Sequence, residues 1–281
     1  QILITGANGQ LGRALRSLYP NAIKTDAGGL DITNMAALQK FNWSNIRAII
    51  NAAAYTNVDG AESAEGQELA DRVNNQAVGY LSAIAEQNDI LLIHISTEYI
   101  FDGKKKEPYT EEDKPNPQGV YAKSKADGDI QAAKAPKHYI VRTSWVVGDG
   151  KNFARTMLAL GQKGISPTVV NDQIGRPTFT SELAMGIKFL IDQNAPFGIY
   201  NLTNEGEPVS WADFTRAIFK EAGYDLRVTD TTSAEYFADK PNAASRPANS
   251  VLDLSKIESL GFTPRDWREN LREYVKKESA K

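Results

Sequence analysis

The sequence predicts an α/β fold, in which a doubly wound parallel sheet is followed by a smaller C-terminal α+β region. Two observations predict the sheet: apolar runs of strand length alternate with helical patterns through the first half of the chain, and these runs are apolar on both faces. A third observation predicts the smaller region, because this regularity fades after about residue 145. The length of 281 residues suits one large domain or two unequal ones.

The alternation can be followed element by element. Predicted strands occupy residues 1–5, 22–25, 48–53, 91–96 and 139–144. Helical spacing of apolar residues occurs between them, at Leu11, Leu15 and Leu18 and again at Val78, Leu81, Ile84 and Ala85. This order of strands and helices is typical of a parallel sheet that is covered by helices on both faces.

The second half of the chain is predicted to divide discontinuously. Residues 197–202 read as a late strand that rejoins the first sheet, whereas a helix begins at Ser210, which has a capping-box-like pattern with Asp213. We therefore assign residues 1–147 to a first domain, to which residues 168–203 return. The second region comprises residues 148–167 and 204–281.

Composition excludes several classes of function. Lys and Arg total 32 against 35 Asp and Glu, so the net charge of −3 argues against nucleic acid as a partner. The absence of Cys and the presence of only two His exclude thiol chemistry and a multi-histidine metal centre, and no metal site is expected. With no long apolar stretch and no signal peptide in the sequence, no membrane association is expected, and a cytoplasmic location fits best.

A glycine-rich turn follows the first predicted strand and opens the first helix. Residues 5–12 read Thr-Gly-Ala-Asn-Gly-Gln-Leu-Gly, in which the glycines permit a tight turn, the approach of a pyrophosphate and close packing of the helix. The turn predicts a dinucleotide site. Its predicted cofactor-binding residues are Gly6, Asn8, Gly9, Gln10, Leu11 and Gly12.

An acidic residue stands at the distance that such a site requires. Asp26 ends the second predicted strand, where its carboxylate can accept hydrogen bonds from the adenosine ribose. This favours NADH over NADPH, although Arg13 and Lys24 are alternative partners for a 2′-phosphate. Asp31 and Ile32 are predicted to contact the adenine; a helix N-cap at Asp31 or Thr33 is the alternative.

Tyr121 and Lys125 are predicted to share one face of a helix that begins near Gln118 after two prolines. The pKa of a tyrosine is about 10, and a neighbouring ammonium lowers it, which would make Tyr121 a usable acid without histidine. Thr97 ends the fourth predicted strand at the ligand-binding edge of the sheet, where its hydroxyl can hydrogen-bond a substrate carbonyl. The predicted catalytic residues are Thr97, Tyr121 and Lys125.

With these motifs in this order, the chain resembles the extended short-chain dehydrogenases/reductases, whose sheet is of the Rossmann type. Five further segments resemble the motif series of the dTDP-4-dehydrorhamnose reductase family: residues 51–59, 96–103, 142–146, 171–178 and 245–250. The resemblance spans nearly the whole chain. It implies an oxidoreductase of nucleotide-sugar and cell-surface polysaccharide biosynthesis, in which NADH or NADPH reduces the C4 ketone of dTDP-4-dehydro-L-rhamnose to give dTDP-L-rhamnose.

The resemblance also assigns residues to the two ligands. It places Ala52, Ala53, Tyr55, Tyr121 and Lys125 against the cofactor, while Asn74 orders the active-site helix and belongs to the same set. The residues that it places against the substrate are Thr56, Val58, Thr97, Glu98, Trp145, Arg176 and Arg246, with the two arginines as a clamp for the diphosphate.

The residues at positions 98 and 99 differ from those of related proteins. The family usually has Asp at the position of Glu98, and the longer side chain is expected to shift the substrate contact. The second carboxylate of the related dehydratases is absent, because Tyr99 follows Glu98.

Two alternative functions remain open. One is a non-catalytic NAD(P)-binding regulatory subunit, against which the intact Tyr121 and Lys125 argue. The other is a reductase or epimerase of another nucleotide sugar. Helix pairing in the superfamily implies a homodimer.

Overall fold

A computed structural model describes residues 1–280 of the chain. Its strands are β1 (Ile2–Thr5), β2 (Ile23–Lys24), β3 (Ala48–Asn51), β4 (Leu91–Thr97), β5 (His138–Thr143), β6 (Val146–Val147), β7 (Thr168–Val170), β8 (Ile174–Gly175), β9 (Thr178–Phe179), β10 (Gly198–Asn201), β11 (Val209–Ser210) and β12 (Thr229–Thr231). Its helices are α1 (Gln10–Leu18), α2 (Met35–Lys40), α3 (Ala64–Asp71), α4 (Ala77–Gln87), α5 (Val120–Ala132), α6 (Phe153–Gln162), α7 (Thr180–Asp192), α8 (Trp211–Ala222), α9 (Ser233–Tyr236), α10 (Ser255–Ser259) and α11 (Trp267–Ser279).

The central sheet has six strands in the order β10-β5-β4-β3-β1-β2, and every neighbouring pair is parallel. The predicted doubly wound sheet is confirmed, including the late strand that rejoins it as β10. The chain leaves β1 towards β2 on one side and later places β3 on the other side of β1. This reversal creates the crevice at the carboxyl ends of β1 and β3 where such sheets bind ligands.

Helices cover both faces of the sheet because the strands present apolar side chains to both. On one face, Leu15 of α1 and Ile187 of α7 pack with Ile4 and Val141. On the other face, helices α2 and α4 pack against alternate residues of the same strands, such as Leu3, Ile49 and Leu92. Within residues 1–280, no helix combines the length and apolar character that crossing a membrane requires.

A separate apolar cluster forms the core of the later part of the chain. Helices α6, α8 and α11 contribute Leu158, Phe214 and Trp267, which are all buried there. Strand β7 pairs with β12 beside this cluster, whereas α7 and β10 pack into the main sheet assembly. The domain boundaries stay a prediction, and the two apolar cores are the structural basis for it.

Specific hydrogen bonds fix the starts of α5 and α8. Helix α5 begins at Val120, two residues after the predicted start, because Gly119 adopts a φ of +90° and precedes the first turn. The Glu62 Oε1 atom accepts a hydrogen bond from the Val120 backbone N–H at 2.9 Å. The predicted N-cap at Ser210 is confirmed, because its hydroxyl accepts a hydrogen bond from the Asp213 backbone at 3.0 Å.

Candidate active site

The glycine turn between β1 and α1 lies against the loop that follows β3. Gly6 has a φ of +62°, which side chains rarely tolerate, and its carbonyl accepts a hydrogen bond from the Gly9 N–H at 3.0 Å. A Cβ atom at Gly6 would lie 2.6 Å from the Ala53 backbone nitrogen. The predicted residues Ala52 and Ala53 therefore stand directly beside the turn, at the crevice between β1 and β3.

Gly12 allows α1 to pack closely on this turn. A Cβ atom there would lie 2.2 Å from the Gly6 carbonyl oxygen, and backbone atoms would have to move to admit it. We expect Gly12→Ala to lower the free energy of unfolding by about 1–3 kcal/mol and to weaken cofactor binding, because α1 is displaced. Urea unfolding and cofactor titration measure the two effects.

Gly79→Ala in α4 is the matched control for Gly12→Ala. A Cβ atom at Gly79 would meet only the flexible end of Gln131, at 3.2 Å. We expect this change to leave cofactor affinity unchanged and to stabilise the helix by up to about 1 kcal/mol. Equal stabilities of the wild type and Gly12→Ala would contradict the role of Gly12.

Asp26 lies beside the turn and is connected to two arginines through Asn8. The Asp26 carboxylate accepts hydrogen bonds from the Asn8 amide and from the Gly28 N–H, the latter at 3.0 Å. The Asn8 Oδ1 atom accepts from Arg16 at 3.0 Å, and the Asn8 carbonyl accepts from Arg13 at 2.9 Å. Arg16 was not among the predicted residues, although it lies in α1 only four residues after Gly12.

The other predicted contacts of the adenine side have mainly local partners. Lys24 Nζ donates to the Pro20 carbonyl at 2.6 Å. Asp31 accepts hydrogen bonds from the Thr33 N–H and hydroxyl, at 2.9 and 2.8 Å. The alternative of an N-cap at Asp31 or Thr33 is wrong, because Asn34 caps α2 by accepting from the Ala37 N–H. Ile32 is buried in the core on this face of the sheet.

Gln10 and Leu11, the first residues of α1, hold the turn in place. The Gln10 Oε1 atom accepts hydrogen bonds from the Gly148 N–H at 2.9 Å and from the Asn152 amide at 3.2 Å. Leu11 is buried against the sheet. The start of α1 is thereby attached to the segment between β6 and α6.

Asn74 connects the loop after β3 to α5, the helix that carries Tyr121 and Lys125. It lies in a π-helical turn, Arg72–Gln76, between α3 and α4, a distortion that is frequent at functional sites. Its Oδ1 atom accepts from the Tyr55 N–H at 2.8 Å, while its Nδ2 donates to the Tyr55 carbonyl and to the Ser124 hydroxyl, both at 3.0 Å. The structure therefore brings together the predicted residues Tyr55, Asn74 and α5.

Thr97, Glu98 and Tyr121 form a hydroxyl and carboxyl cluster where β4 ends. The Thr97 hydroxyl donates to the Glu98 Oε2 atom at 2.9 Å, accepts from the Tyr99 N–H at 3.2 Å and also interacts with the Tyr121 phenol. Tyr99 and Tyr121 make an edge-to-face contact at 5.5 Å between ring centroids. Glu98 is 2% exposed, and burial raises its pKa to about 7.

The protonation of Tyr121 differs from the sequence-based expectation. Its pKa is raised rather than lowered, first by burial and then by the charge of Glu98, although its hydrogen bond with Thr97 acts in the opposite direction. Lys125 Nζ donates to the Ile95 carbonyl at 2.6 Å. The pKa of Lys125 falls to about 8 through burial, which the charge of Asp129 partly offsets. The expected lowering was wrong because spacing alone does not report desolvation.

A buried polar network lies behind Lys125. Asp129, one turn further along α5, is 6% exposed and accepts a hydrogen bond from Arg142 Nε at 3.3 Å. His94 Nε2 lies 3.9 Å from the same carboxylate, and its other ring nitrogen lies 3.3 Å from the Asn51 amide. Burial lowers the pKa of His94 well below its usual range, so the imidazole is neutral. His94 thus contributes to this network and lies behind the hydroxyl cluster.

A cavity of about 620 Å³ extends from Tyr99 into the second region. Its walls are rich in aromatic and charged side chains: Asp59, Phe153, Gln173, Trp211, Tyr236, Phe237, Lys240 and Arg246. Arg246 pairs with Asp59 at 2.8 Å and lies 4.7 Å above the Phe237 ring. Because Tyr99 both lines the cavity and contacts Tyr121, the cavity adjoins the hydroxyl cluster.

The predicted substrate residues Thr56, Val58 and Trp145 are not among the residues that line this cavity. Thr56 is exposed and Val58 partly buried, in the loop that leads to Asp59. Trp145 has a φ of +46° and stacks on Trp211 at 3.5 Å, so it supports a wall of the cavity from behind.

Arg176 does not join Arg246. Its guanidinium donates to the Gly206 and Leu252 carbonyls, at 2.8 and 3.1 Å, and lines a different depression with Glu205 and Asp266. The structure therefore does not assemble the predicted pair of arginines. Arg176 connects two segments of backbone instead, a role that a short motif does not reveal.

Sequence reasoning missed most of the cavity wall. Trp211 directly follows the predicted N-cap Ser210; it is only partly buried, and its indole N–H donates to Gln173 Oε1 at 3.2 Å. Phe237, Lys240 and Tyr236 lie in a segment without a recognisable pattern. The available signal was the pair of aromatic residues at 236–237, which Lys240 and then the Ser-Arg-Pro motif with Arg246 follow.

The chain matches the protein family described as RmlD substrate binding domain over residues 1–280. It is 41% identical to the dTDP-4-dehydrorhamnose reductase of Aggregatibacter actinomycetemcomitans, in an alignment that covers 98% of this chain and 99% of that protein. Among solved structures, a dTDP-4-dehydrorhamnose reductase from Clostridium acetobutylicum superimposes with a TM-score of 0.91 at 41% identity, covering 99% of each chain.

The reductase from Bacillus anthracis, solved in complex with NADP, superimposes with a TM-score of 0.90 at 34% identity and covers 98% of each chain. Full-length similarity in both sequence and structure excludes a chance match of isolated motifs. The glycine turn follows β1 and Thr97 ends β4, so both lie at the carboxyl edge of the sheet, and α5 carries Tyr121 and Lys125. The chain belongs to the dTDP-4-dehydrorhamnose reductase family.

Proposed function

We propose that this chain catalyses the NAD(P)H-dependent reduction of the C4 ketone of dTDP-4-dehydro-L-rhamnose to give dTDP-L-rhamnose. One observation carries the proposal: the Thr97 and Tyr121 hydroxyls lie at the carboxyl edge of the sheet, and Tyr99 joins them to a large aromatic and basic cavity. The full-length similarity to named reductases supports the same reaction.

The residues of the β1–α1 turn fit a dinucleotide. A Cβ atom at Gly6 or Gly12 would collide with backbone, so the turn packs closely against the start of α1. The N-terminus of a helix that follows such a turn is where a pyrophosphate binds. Asp26 would hold the adenosine ribose and Lys125 the nicotinamide ribose. When bound, the reduced nicotinamide supplies the hydride.

Tyr121 provides the proton for the carbonyl oxygen. Its phenol is neutral near physiological pH, which is the form that a general acid needs, while the raised pKa makes it a weaker acid than an ordinary tyrosine. The Thr97 hydroxyl donates a hydrogen bond to the same carbonyl and stabilises the negative charge that develops on its oxygen. Lys125 stays largely protonated below its pKa of about 8, and its ammonium retains N–H donors beyond the one bound to Ile95.

The cavity provides complementary surfaces for a nucleoside diphosphate sugar. Trp211 and Phe153 offer aromatic faces for a pyrimidine ring, and Arg246 and Lys240 offer positive charge for a diphosphate. We place the sugar between this cavity and Tyr121. Thr56, Val58 and Trp145 remain proposed substrate residues, of which Trp145 acts through its stack on Trp211.

The reaction is tested by following NADH and NADPH oxidation with dTDP-4-dehydro-L-rhamnose and identifying the product by mass spectrometry and NMR. We expect oxidation of the cofactor in step with formation of the rhamnose sugar. Oxidation only with a different nucleotide sugar would support the second reading of the sequence, a reductase of another sugar. Cofactor binding without oxidation of any substrate would instead indicate a non-catalytic NAD(P)-binding subunit.

We expect Asp26→Ala combined with Ala27→Arg to shift the ratio of kcat/KM for NADPH over NADH upwards by about tenfold or more. The change removes a ribose acceptor and replaces it with a cation for the 2′-phosphate. Ala27→Arg alone is the control, since it keeps the Asp26 carboxylate. An unchanged ratio in the double variant would show that Asp26 does not contact the ribose.

The resemblance also implies a homodimer, and we include this in the proposal. Multi-angle light scattering of the purified chain measures its mass in solution directly. A mass twice that of the 30.8 kDa chain is the expected result. A single-chain mass at micromolar concentration would rule the dimer out under those conditions.

A further inference from the structure

Glu98 is a buried carboxyl group that the reduction as proposed does not use. Its side chain is 2% exposed, and its Oε1 atom has no hydrogen-bond partner among the residues that the structure describes. An ionised carboxylate with one unpartnered buried oxygen is costly, whereas the neutral acid leaves only a carbonyl oxygen unpaired. The surroundings of Glu98 therefore favour its neutral form.

The hydrogen bond between Glu98 and Thr97 has two directions. The two oxygens lie 2.9 Å apart and share one hydrogen. When Glu98 is ionised, Thr97 must donate to it, and the Thr97 proton is then not available to a substrate. When Glu98 is neutral, its own O–H group donates to Thr97 Oγ1, and the Thr97 O–H group is then available to donate to a substrate.

The other neighbours of Thr97 make this choice consequential. The Tyr99 N–H already occupies one acceptor position of Thr97 Oγ1, at 3.2 Å, and the Tyr121 phenol also interacts with this hydroxyl. With an ionised Glu98, the Thr97 proton is directed to Glu98 and points away from a substrate. With a neutral Glu98, the direction reverses and the Thr97 hydroxyl can donate to the carbonyl oxygen that Tyr121 protonates.

We propose that Glu98 is a positioning residue, which in its neutral form turns the Thr97 hydroxyl towards the substrate carbonyl. The proposal rests on the reduction proposed above and deepens it. Glu98 itself transfers no proton to the substrate. Its departure from the usual Asp of the family places the longer side chain against Thr97 at 2.9 Å.

Several charged and titratable groups surround Glu98 and enter the pH dependence. Tyr99 on the adjoining turn and Tyr121 on α5 both feel its charge, and each has a raised pKa. The Ser250 hydroxyl from the C-terminal segment hydrogen-bonds the carboxyl group. Arg246 and Asp59 act on Tyr99, and Lys125 lies further along α5. Burial outweighs these hydrogen bonds, so the pKa of Glu98 rises to about 7.

The sign of the pH effect follows from this raised pKa. The neutral form dominates below about 7, so kcat/KM is highest there and falls as the pH rises through that value. We expect the titration of Glu98 to lower wild-type kcat/KM by about tenfold between about pH 6 and about pH 8, in addition to the fall of about twofold that the titration of Lys125 causes. We expect Glu98→Gln to fall by only about twofold, because its amide N–H₂ donates permanently to Thr97 and only the titration of Lys125 remains.

Glu182→Gln is the matched control. Glu182 is 6% exposed, its pKa is likewise raised by burial, and it accepts a hydrogen bond from the Arg265 N–H far along the chain from Thr97. We expect this variant to keep the tenfold fall of the wild type. Infrared difference spectra of the enzyme without substrate provide a readout besides activity, since a protonated carboxyl band that titrates near neutral pH should be lost in Glu98→Gln and kept in Glu182→Gln.

The outcomes separate this inference from the reaction itself. Absence of reduction by the wild type at every pH would contradict the proposed function, whereas an active wild type with the same tenfold fall in Glu98→Gln would overturn only the role of Glu98. A folded Glu98→Gln that is inactive throughout would also overturn it. If Glu98→Gln does not fold, Thr97→Val decides, because its residual activity should lose the tenfold fall, and retention of the fall would contradict the inference.

Discussion

Replacing Tyr121 by phenylalanine is expected to lower kcat by about 10² to 10⁴-fold, the range that general acid catalysis contributes. The variant removes one hydroxyl and keeps the ring. The edge-to-face contact with Tyr99, at 5.5 Å, is therefore retained, and we expect cofactor affinity to change little. Steady-state kinetics with fluorescence titration of the cofactor separates these two effects.

The selectivity of this change is checked with a second tyrosine. Tyr80→Phe removes the same hydroxyl from α4, whose apolar side packs on the opposite face of the sheet from α1. We expect its kcat to stay within about twofold of the wild type, as for a substitution outside the reacting groups. A Tyr121→Phe enzyme that keeps more than about one tenth of the wild-type kcat would remove Tyr121 from the role of acid.

Arg142→Met is expected to lower the free energy of unfolding by about 3–5 kcal/mol. Arg142 is 3% exposed and donates to Asp129 at 3.3 Å, so its removal takes away the cation that is hydrogen-bonded to a buried carboxylate and leaves only the charge of Lys125 nearby. It also lies 5.4 Å above the Phe101 ring, a contact that methionine replaces only in part. Urea denaturation at neutral pH measures the loss.

Two further variants show whether the uncompensated charge causes this loss. Asp129→Asn in the Arg142→Met background removes the charge and should recover part of the lost stability. Lys188→Met breaks the exposed pair with Asp192 and should cost less than about 1 kcal/mol. A loss of this small size for Arg142→Met as well would contradict the importance of the buried pair.

The sheet and the glycine turn were predictable because they depend on short-range patterns. Apolar runs covered on both faces require a parallel sheet, and a turn such as that at Gly6 requires residues without a Cβ atom. The same applies to Tyr121 and Lys125, whose spacing places them on one helix. Their positions followed from local geometry, which the sequence carries directly.

Properties that depend on distant contacts were not predictable in the same way. The pKa of Tyr121 depends on burial and on the charge of Glu98, and neither is visible in the spacing of Tyr121 and Lys125. Arg176 and Arg246 both lie within short motifs, yet only Arg246 lines the large cavity. Arg176 is held elsewhere, because its guanidinium donates to the backbone carbonyls of Gly206 and Leu252. Which arginine reaches the cavity depends on tertiary folding.

The stacked indoles of Trp145 and Trp211 give the molecule an optical property. Trp145 follows the main sheet strand β5, Trp211 begins α8 of the second core, and their rings lie 3.5 Å apart. Trp43 is buried in a different cluster, and Trp267 is buried in the cluster that Trp211 packs against. A ligand that enters the cavity beside Trp211 should change the coupling between the stacked rings, so nucleotide binding can be followed by intrinsic fluorescence without any turnover.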